Sequence, residues 1–504
     1  MHAQSTTDSG PVWKDRKLGW IFWVGFIASA ILMAAASRGD LAIDEVVSLR
    51  NAEGAKTWLE LITRDPNDNN HLLNTFILRL LGSHSWLFIY RIPAVVFGIG
   101  MIAALALTAR RWNKAAAVWV VYLAGWSCPI ILYCSEARGY APAMFFAVVA
   151  FEWLQRCWER CTPVRIVLFW LALCLGFLAH FSSGIVWAAL GVWTLIHEKK
   201  AGASWRGALV STVKYYAVPA CFMAGVYLVY IRHMFILGGY PYTRLEVIGA
   251  AASYALGFAN TTGLNLVSVI LAVALVAYGI RVIFRHKQEA GWFFVLVLVV
   301  LPALVLLWHP RFLYFRYLLV CFPFFYLLLA IEFAEWFRRS GSAMKTLPVW
   351  MTLAITIGHA IKVSALLELG RGQYRRALQD MARATPGPVV RVSGDDDFKD
   401  GTMVEFYARF LPSDKRVEYI ASSERHQEIP EWVVVVCFDP AFRAYPDLGV
   451  GDIGRYKLSG VYPFAGLSGW SWFVYQRPRE EVAGPPDGAA DTQRSTASSD
   501  HLLP

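Results

Sequence analysis

Charged groups beside long apolar stretches are costly, so each one asks for a reason. In this sequence such groups gather at one level. Asp44 and Glu45 follow the first apolar stretch within a few residues. His71 opens a second apolar-periodic segment. A short loop carries Ser135-Glu136-Ala137-Arg138-Gly139-Tyr140. A later loop carries His309-Pro310-Arg311 and then Arg316-Tyr317, and His180, Arg232, His233 and Arg244 stand at similar ends. Arginine offers planar, charge-assisted donors that match a phosphate. A nearby carboxylate can accept a proton from a nucleophile. The set therefore reads as a site for an anionic lipid headgroup with a reaction beside it.

Plainer readings account for each residue taken alone. Asp44-Glu45 would equally cap a helix, because acids favour helix N-termini. Arg138 would equally snorkel to the interface, with Glu136 as its ion-pair partner. Tyr140 would equally be packing. His180, His233 and His309 show no metal-ligand spacing with Asp44 or Glu45.

The elements that must position these residues are membrane spans. The chain has 504 residues, 57% hydrophobic and 17% charged, with a mean hydropathy of +0.43. A soluble domain carries about 25% charged residues, so a single soluble domain, a nucleic-acid-binding arm and a disordered scaffold are excluded as the main business of the chain. Eleven stretches suit a span of about 20 apolar residues: 17–37, 86–108, 115–133, 139–155, 166–181, 184–197, 215–233, 261–284, 291–308, 313–337 and 346–367. Phe181-Ser182-Ser183 predicts a tight hairpin between the fifth and sixth. Residues 1–367 hold 31 Lys and Arg against 17 Asp and Glu. Most of that basic excess falls in alternate loops, which by the positive-inside rule are cytoplasmic. A pI of 9.1 is thus membrane topology, not nucleic-acid binding.

That parity predicts a cytoplasmic N-terminus (1–16) and two long outer segments, 38–85 and 368 onward. In the first, apolar spacing predicts amphipathic helices around Val46–Ile62 and over Leu72–Leu81, separated by the turn-rich Arg64–Asn70. The second predicts a small α/β domain over 368–477. It has a helix at Tyr374–Ala384, strands at Val389–Val392, Val417–Ile420 and Trp432–Phe438, and a solvated turn at Asp395-Asp396-Asp397. Residues 478–504 read as a disordered tail. Cys437 reads as a strand residue without a disulfide partner. The expected fold class is mainly α: a polytopic bundle of about 11 transmembrane helices within 17–367, with amphipathic outer-face helices and the α/β extracytoplasmic domain.

The order of these motifs resembles the GT-C glycosyltransferases, in the branch of protein O-mannosyltransferases and lipid A aminoarabinose transferases. The resemblance rests on Asp44-Glu45 after the first helix, His71-Leu72-Leu73-Asn74, Arg91-Ile92-Pro93, Glu136-Ala137-Arg138-Gly139-Tyr140, and Arg316-Tyr317 followed by Pro323, over residues 17–335. Many relatives have two prolines after the histidine, where this chain has Leu72-Leu73. The resemblance implies transfer of a hexose or pentose from a polyprenyl-phosphate sugar to a lipid, glycan or protein acceptor, with inversion. Asp44 would be the catalytic carboxylate, and Glu45 would support it or hold a metal or the acceptor. Glu136, Arg138, Arg316 and Arg311 would line the donor phosphate, with His71 and Tyr140 as acceptor or supporting residues. It implies no certain cofactor and leaves a divalent metal open. The partners would be the donor, the acceptor and membrane lipids, with no nucleic acid. The membrane would be a bacterial inner membrane. A transporter of polyprenyl-linked sugars, or a non-catalytic scaffold, is the alternative; the lack of mid-span charge counts against transport.

Overall fold

The computed structural model describes residues 15–478, except 237, 287, 309–311, 340 and 342–344. Among the described residues, seven helices are long and apolar enough to cross a membrane: Arg16–Ala36, Phe88–Arg110, Trp205–His233, Thr262–Arg285, Ala290–Trp308, Phe315–Arg339 and Thr346–Leu369, the last ending at Gly370 before a separate helix Tyr374–Ala384. The chain is an integral membrane protein. Helices also occupy the other four expected spans, and these depart from an ideal span. Lys114–Gly125 stops at Trp126 and restarts as Cys128–Tyr133, where Pro129 suits a helix start. Tyr140–Glu159 carries Glu152, Arg156 and Glu159. Pro163–Ala179 and Gly184–Lys200 have 17 residues each, about 25 Å at 1.5 Å per residue. The Phe181–Ser183 turn joins them as the expected hairpin.

Burial separates lipid-facing helices from the one at the centre. Thr262–Arg285 leaves Leu266, Ile270 and Val273 exposed at spacings of four and three, an apolar stripe that only lipid would solvate. Phe315–Arg339 is almost wholly buried and opens with a 3₁₀ stretch, Phe315–Cys321. Tyr326 within it bonds Ser127 Oγ (2.8 Å) at the break after Gly125, and also the Ala255 carbonyl (2.9 Å). The residue that enters this central helix, Arg316, is therefore held by a rigid element.

Of the two helices expected in the first loop, Leu72–Leu81 is present and amphipathic, while the first is broken into Ile43–Gly54, buried on Glu45, Val46, Ser48, Leu49 and Ala52, and a single turn at Glu60–Thr63. The chain divides into two compact units. The first runs to Arg376 and takes back Phe438–Pro440 and Pro463–Ser471. The second holds Ala377–Cys437, Ala441–Tyr462 and the chain from Trp472.

The sheet has six strands: β1 (Val389–Gly394), β2 (Arg416–Tyr419), β3 (Trp432–Cys437), β4 (Asp447–Gly449), β5 (Arg455–Tyr462) and β6 (Ser471–Gln476). Their order is β2-β1-β3-β6-β5-β4. β1 runs parallel to β2 and β3, with Val390 opposite Val417, while β4, β5 and β6 run antiparallel. β4 is only three residues long and β5 alternates, whereas β6 carries the apolar run Trp472–Tyr475, which the sequence reading passed over. The expected loose turn at Asp395–Asp397 is instead an ordered helix start. Asp396 accepts from the Lys399 N–H (3.0 Å) to cap Asp397–Ala408, and Asp395 accepts from the Val436 N–H (2.9 Å). Acidic residues at a helix N-terminus favour the helix, which the turn reading overlooked.

Candidate active site

Asp44 lies in the first turn of Ile43–Gly54. Its Oδ2 accepts from Arg138 Nη1 at 2.8 Å and from Arg316 Nη1 at 3.1 Å. Two loops far apart in sequence thus meet at one carboxylate, whose side chain stays 30% exposed while Arg138 is only 4% exposed. Arg138 Nη2 also donates to Asn69 Oδ1 (2.7 Å) and lies 3.3 Å from His71 Nε2. Asn69 in turn donates to the Asp44 carbonyl (2.9 Å). Within the turn-rich breaker, Asn69 therefore fastens the arginine to the helix that bears the acid.

Rings pack around this centre. The His71 and His180 rings stack at 4.7 Å, and Tyr140 lies 4.6 Å from His180 and 4.8 Å from Tyr133. Arg138 sits over Tyr140 (4.9 Å) and Arg316 over Tyr314 (4.5 Å), placements that favour a cation. Burial, then His180, Arg138 and Arg316, push His71 well below its ordinary range, so it is neutral. Burial alone would raise Asp44, but Arg138 and then Arg316 outweigh it and hold the carboxyl below the usual carboxylate range. One carboxylate facing two guanidiniums leaves a surplus positive charge. Arg138 Nε and Arg316 Nε are buried and find no partner among the described residues. The arrangement is ready for an anion.

Two other expected site residues are engaged elsewhere. Glu45 is fully buried and clamped by Arg91: Nε to Oε1 at 2.7 Å and Nη2 to Oε2 at 2.6 Å. Its oxygens also accept the Ala137 N–H (2.7 Å) and the Ala42 N–H (2.9 Å). Arg91 spends its remaining donors on the carbonyls of Ser37, Arg38, Gly39 and Asp40. Glu136 accepts from Arg371 Nε (3.1 Å), and both side chains are buried. The structure brings Asp44, His71, Arg138, Tyr140 and Arg316 together, and sets Glu45 and Glu136 in the arginine-bound layer that holds them. Arg311 lies outside the described residues, as does His309. Asn69 and Arg371 escaped the sequence reading; the sharpest signal for Arg371 is its place between two glycines.

The loop that bears Arg138 has no room to shift. Asn74 Nδ2 donates to the Ala137 carbonyl (2.8 Å). A Cβ added at Gly139 would overlap the Ala179 carbonyl oxygen and press on His71. Gly139→Ala is expected to cost about 1–3 kcal/mol through overpacking. Thermal unfolding in detergent measures it, and an unchanged midpoint would show that this loop yields freely.

No group of three or more His, Cys, Asp or Glu is placed to hold a metal among the described residues. The donor set around Asp44 does not suit one either, because the two guanidiniums on Oδ2 would repel a divalent cation.

No sequence-family model and no curated protein matches the chain. Its fold does have solved counterparts, fourteen chains in number. ArnT from Cupriavidus metallidurans, in the apo state, superposes with a TM-score of 0.52 at 13% identity, over 93% of this chain and 99% of that one. The same protein bound to undecaprenyl phosphate gives 0.50 at 12%. The oligosaccharyltransferase AglB from Archaeoglobus fulgidus, in complex with an inhibitory peptide and a dolichol-phosphate, gives 0.50 at 12%, over 84% and 70%. Both are GT-C superfamily members. The fold is the GT-C membrane fold with a small C-terminal sheet, as the motif order implied.

Proposed function

We propose that this chain is a glycosyltransferase that moves a sugar from a polyprenyl-phosphate donor to an acceptor at the outer face of the membrane. The observation that carries this reading is the Asp44 carboxylate between Arg138 and Arg316, with buried guanidinium donors to spare. The fold supports it: structures of the same architecture hold undecaprenyl phosphate or dolichol-phosphate. The basic alternate loops support the outer placement of this end of the bundle.

In the reaction the acceptor oxygen bonds to the anomeric carbon as the bond from that carbon to the phosphate oxygen breaks, with inversion. Asp44 takes the acceptor hydroxyl proton. The departing polyprenyl phosphate turns from a singly charged diester into a monoester that gains charge. Arg138 and Arg316 meet that gain, so their contribution is larger in the transition state than in the bound donor. His71 and Tyr140 line the pocket as neutral packing that keeps water out. A hexose or pentose donor, a lipid, glycan or protein acceptor, and a bacterial inner membrane complete the proposal.

The test uses purified protein, polyprenyl-phosphate hexose and a membrane acceptor extract, with free polyprenyl phosphate measured by mass spectrometry. Wild type is expected to release it. Arg316→Gln is expected to release it about 10²–10³-fold more slowly, the usual loss for one donor to developing charge. Wild-type rates in that variant would remove Arg316 from the phosphate site.

A further inference from the structure

The sequence of the proposed site ends near residue 317, yet the loop that bears Arg138 is fastened by a residue much later in the chain. Arg371 is fully buried. Its Nε donates to Glu136 Oε1 (3.1 Å), its Nη1 to the Ala36 carbonyl (2.9 Å), and its Nη2 to the carbonyls of Leu132 (3.1 Å) and Ser135 (3.2 Å) and to Ser135 Oγ (2.8 Å). One guanidinium thereby ties the end of the first span to the end of Cys128–Tyr133 and to the loop that follows it. Two residues after Glu136 comes Arg138, whose own N–H donates to the Glu136 carbonyl (2.8 Å). Among the described residues, the side-chain hydrogen bonds of Arg371 go to Glu136, Ala36, Leu132 and Ser135, and to none of Asp44, His71, Arg138, Tyr140 or Arg316.

The backbone of Arg371 is fastened in its turn. It lies between Gly370 (φ +66°) and Gly372 (φ +140°), conformations that only glycine adopts without strain. The stretch Pro463–Ser471, which belongs to the same compact unit, closes over it. The Ala465 N–H donates to the Gly370 carbonyl (3.0 Å). Tyr374 Oη donates to the Arg371 carbonyl (3.0 Å) and accepts from the Trp470 N–H (3.1 Å). A Cβ at Gly469 would overlap the Arg371 carbonyl oxygen.

We infer that Arg371 is a positioning residue: through Glu136 and Ser135 it sets where Arg138 meets the donor phosphate, and Pro463–Ser471 sets Arg371. The inference rests on the transferase reading above. A lysine at 371 keeps a positive charge for Glu136 but has no planar fork to span all five acceptors. A displacement of about 1 Å at a reacting group costs about 10²-fold in rate.

The test is a double-mutant cycle on the full-length protein, read as kcat and KM for the donor and, separately, as undecaprenyl phosphate binding by native mass spectrometry. Arg371→Lys is expected to lower kcat about 10–10²-fold. Gly469→Ala, which acts on Arg371 from its carbonyl side and keeps the guanidinium, is expected to lower kcat in the same direction. It is the second arm should the lysine variant fail to fold. Neither change is expected to cost more than a few-fold in an Arg138→Ala background, because the group they position is gone. Losses that multiply in that background would mean general loosening and overturn the inference. So would wild-type kinetics in both variants. A wild type that binds phosphate without transferring sugar is judged by the same cycle on binding. A wild type that does neither defeats the transferase reading, and this inference with it, whatever the variants do.

Discussion

Asp44→Asn is expected to slow polyprenyl phosphate release by about 10²–10⁴-fold, the range for losing a general base, while polyprenyl phosphate binding stays or tightens. The two effects separate because Asp44 plays opposite parts in them. In the free protein its carboxylate offsets one of the two charges of Arg138 and Arg316, at 2.8 and 3.1 Å. An asparagine leaves both guanidiniums uncompensated, and an arriving phosphate then has no carboxylate to displace. In the proposed reaction the carboxylate would be the proton acceptor, and an amide cannot take that role. Held below the usual carboxylate range by these arginines, Asp44 is a weak base until the phosphate draws on them. Donor binding therefore also raises its basicity. The sign for pH follows: the pairing stabilises the fold above the ordinary carboxylate pKa and is lost only as pH falls through the depressed folded value. Release rates and equilibrium binding, measured on the same preparation, check the prediction. A mild loss of rate would mean that the acceptor arrives already ionised and that Asp44 is no base.

Removing Arg91 is expected to cause a large loss of stability. Arg91→Met leaves Glu45 as a buried carboxylate without its counter-charge, and breaking such a pair costs about 3–5 kcal/mol. It also orphans four carbonyls between Ser37 and Asp40. The loss depends on pH in a definite direction. With Arg91 present, burial would raise Glu45 but Arg91 outweighs it and keeps the carboxyl low. Without Arg91, burial is opposed only by Arg371 and the backbone N–H donors, and the carboxyl is expected to rise. The deficit is then full above that raised value and shrinks as pH falls through it, because Glu45 takes up a proton. Thermal unfolding in detergent at pH 7 and near pH 5 measures both parts. A gap between wild type and variant that is absent, or that widens in acid, would show Glu45 to be neutral in the native protein.

The sequence revealed which residues were exceptional more readily than what they bond to. Asp44, Arg138 and Arg316 stood out because charge is rare at the ends of apolar spans, and the structure gathers them at one point. Glu45 and Glu136 stood out for the same reason, yet each is taken up by an arginine distant in sequence. Spacing within a motif carries no record of such a partner. Arg371 was hidden because it falls at the boundary where the last expected span gives way to the outer segment from 368 onward, and Asn69 because Asn-rich stretches read as turns. The long lipid-facing helices were plain from length and hydropathy. Helices such as Tyr140–Glu159 were harder to class, since a helix covered by its neighbours can carry Glu152 and Arg156 without meeting lipid. The strands β4 and β5 have short or alternating patterns that are also compatible with loops, while the apolar run Trp472–Tyr475 of β6 was a strand signal the reading passed over.

The return of Pro463–Ser471 to the membrane unit has a consequence for how the molecule is made. Chains emerge from the ribosome N-terminus first, and early regions fold first. Asp44, Arg138 and Arg316 are all synthesised and inserted before the stretch that fastens Arg371 exists. The C-terminal sheet lies between them in time, since β1 to β5 precede Pro463 in the chain. On the inference above, the residues around Asp44 are thus made early and are fastened only once Pro463–Ser471 has emerged.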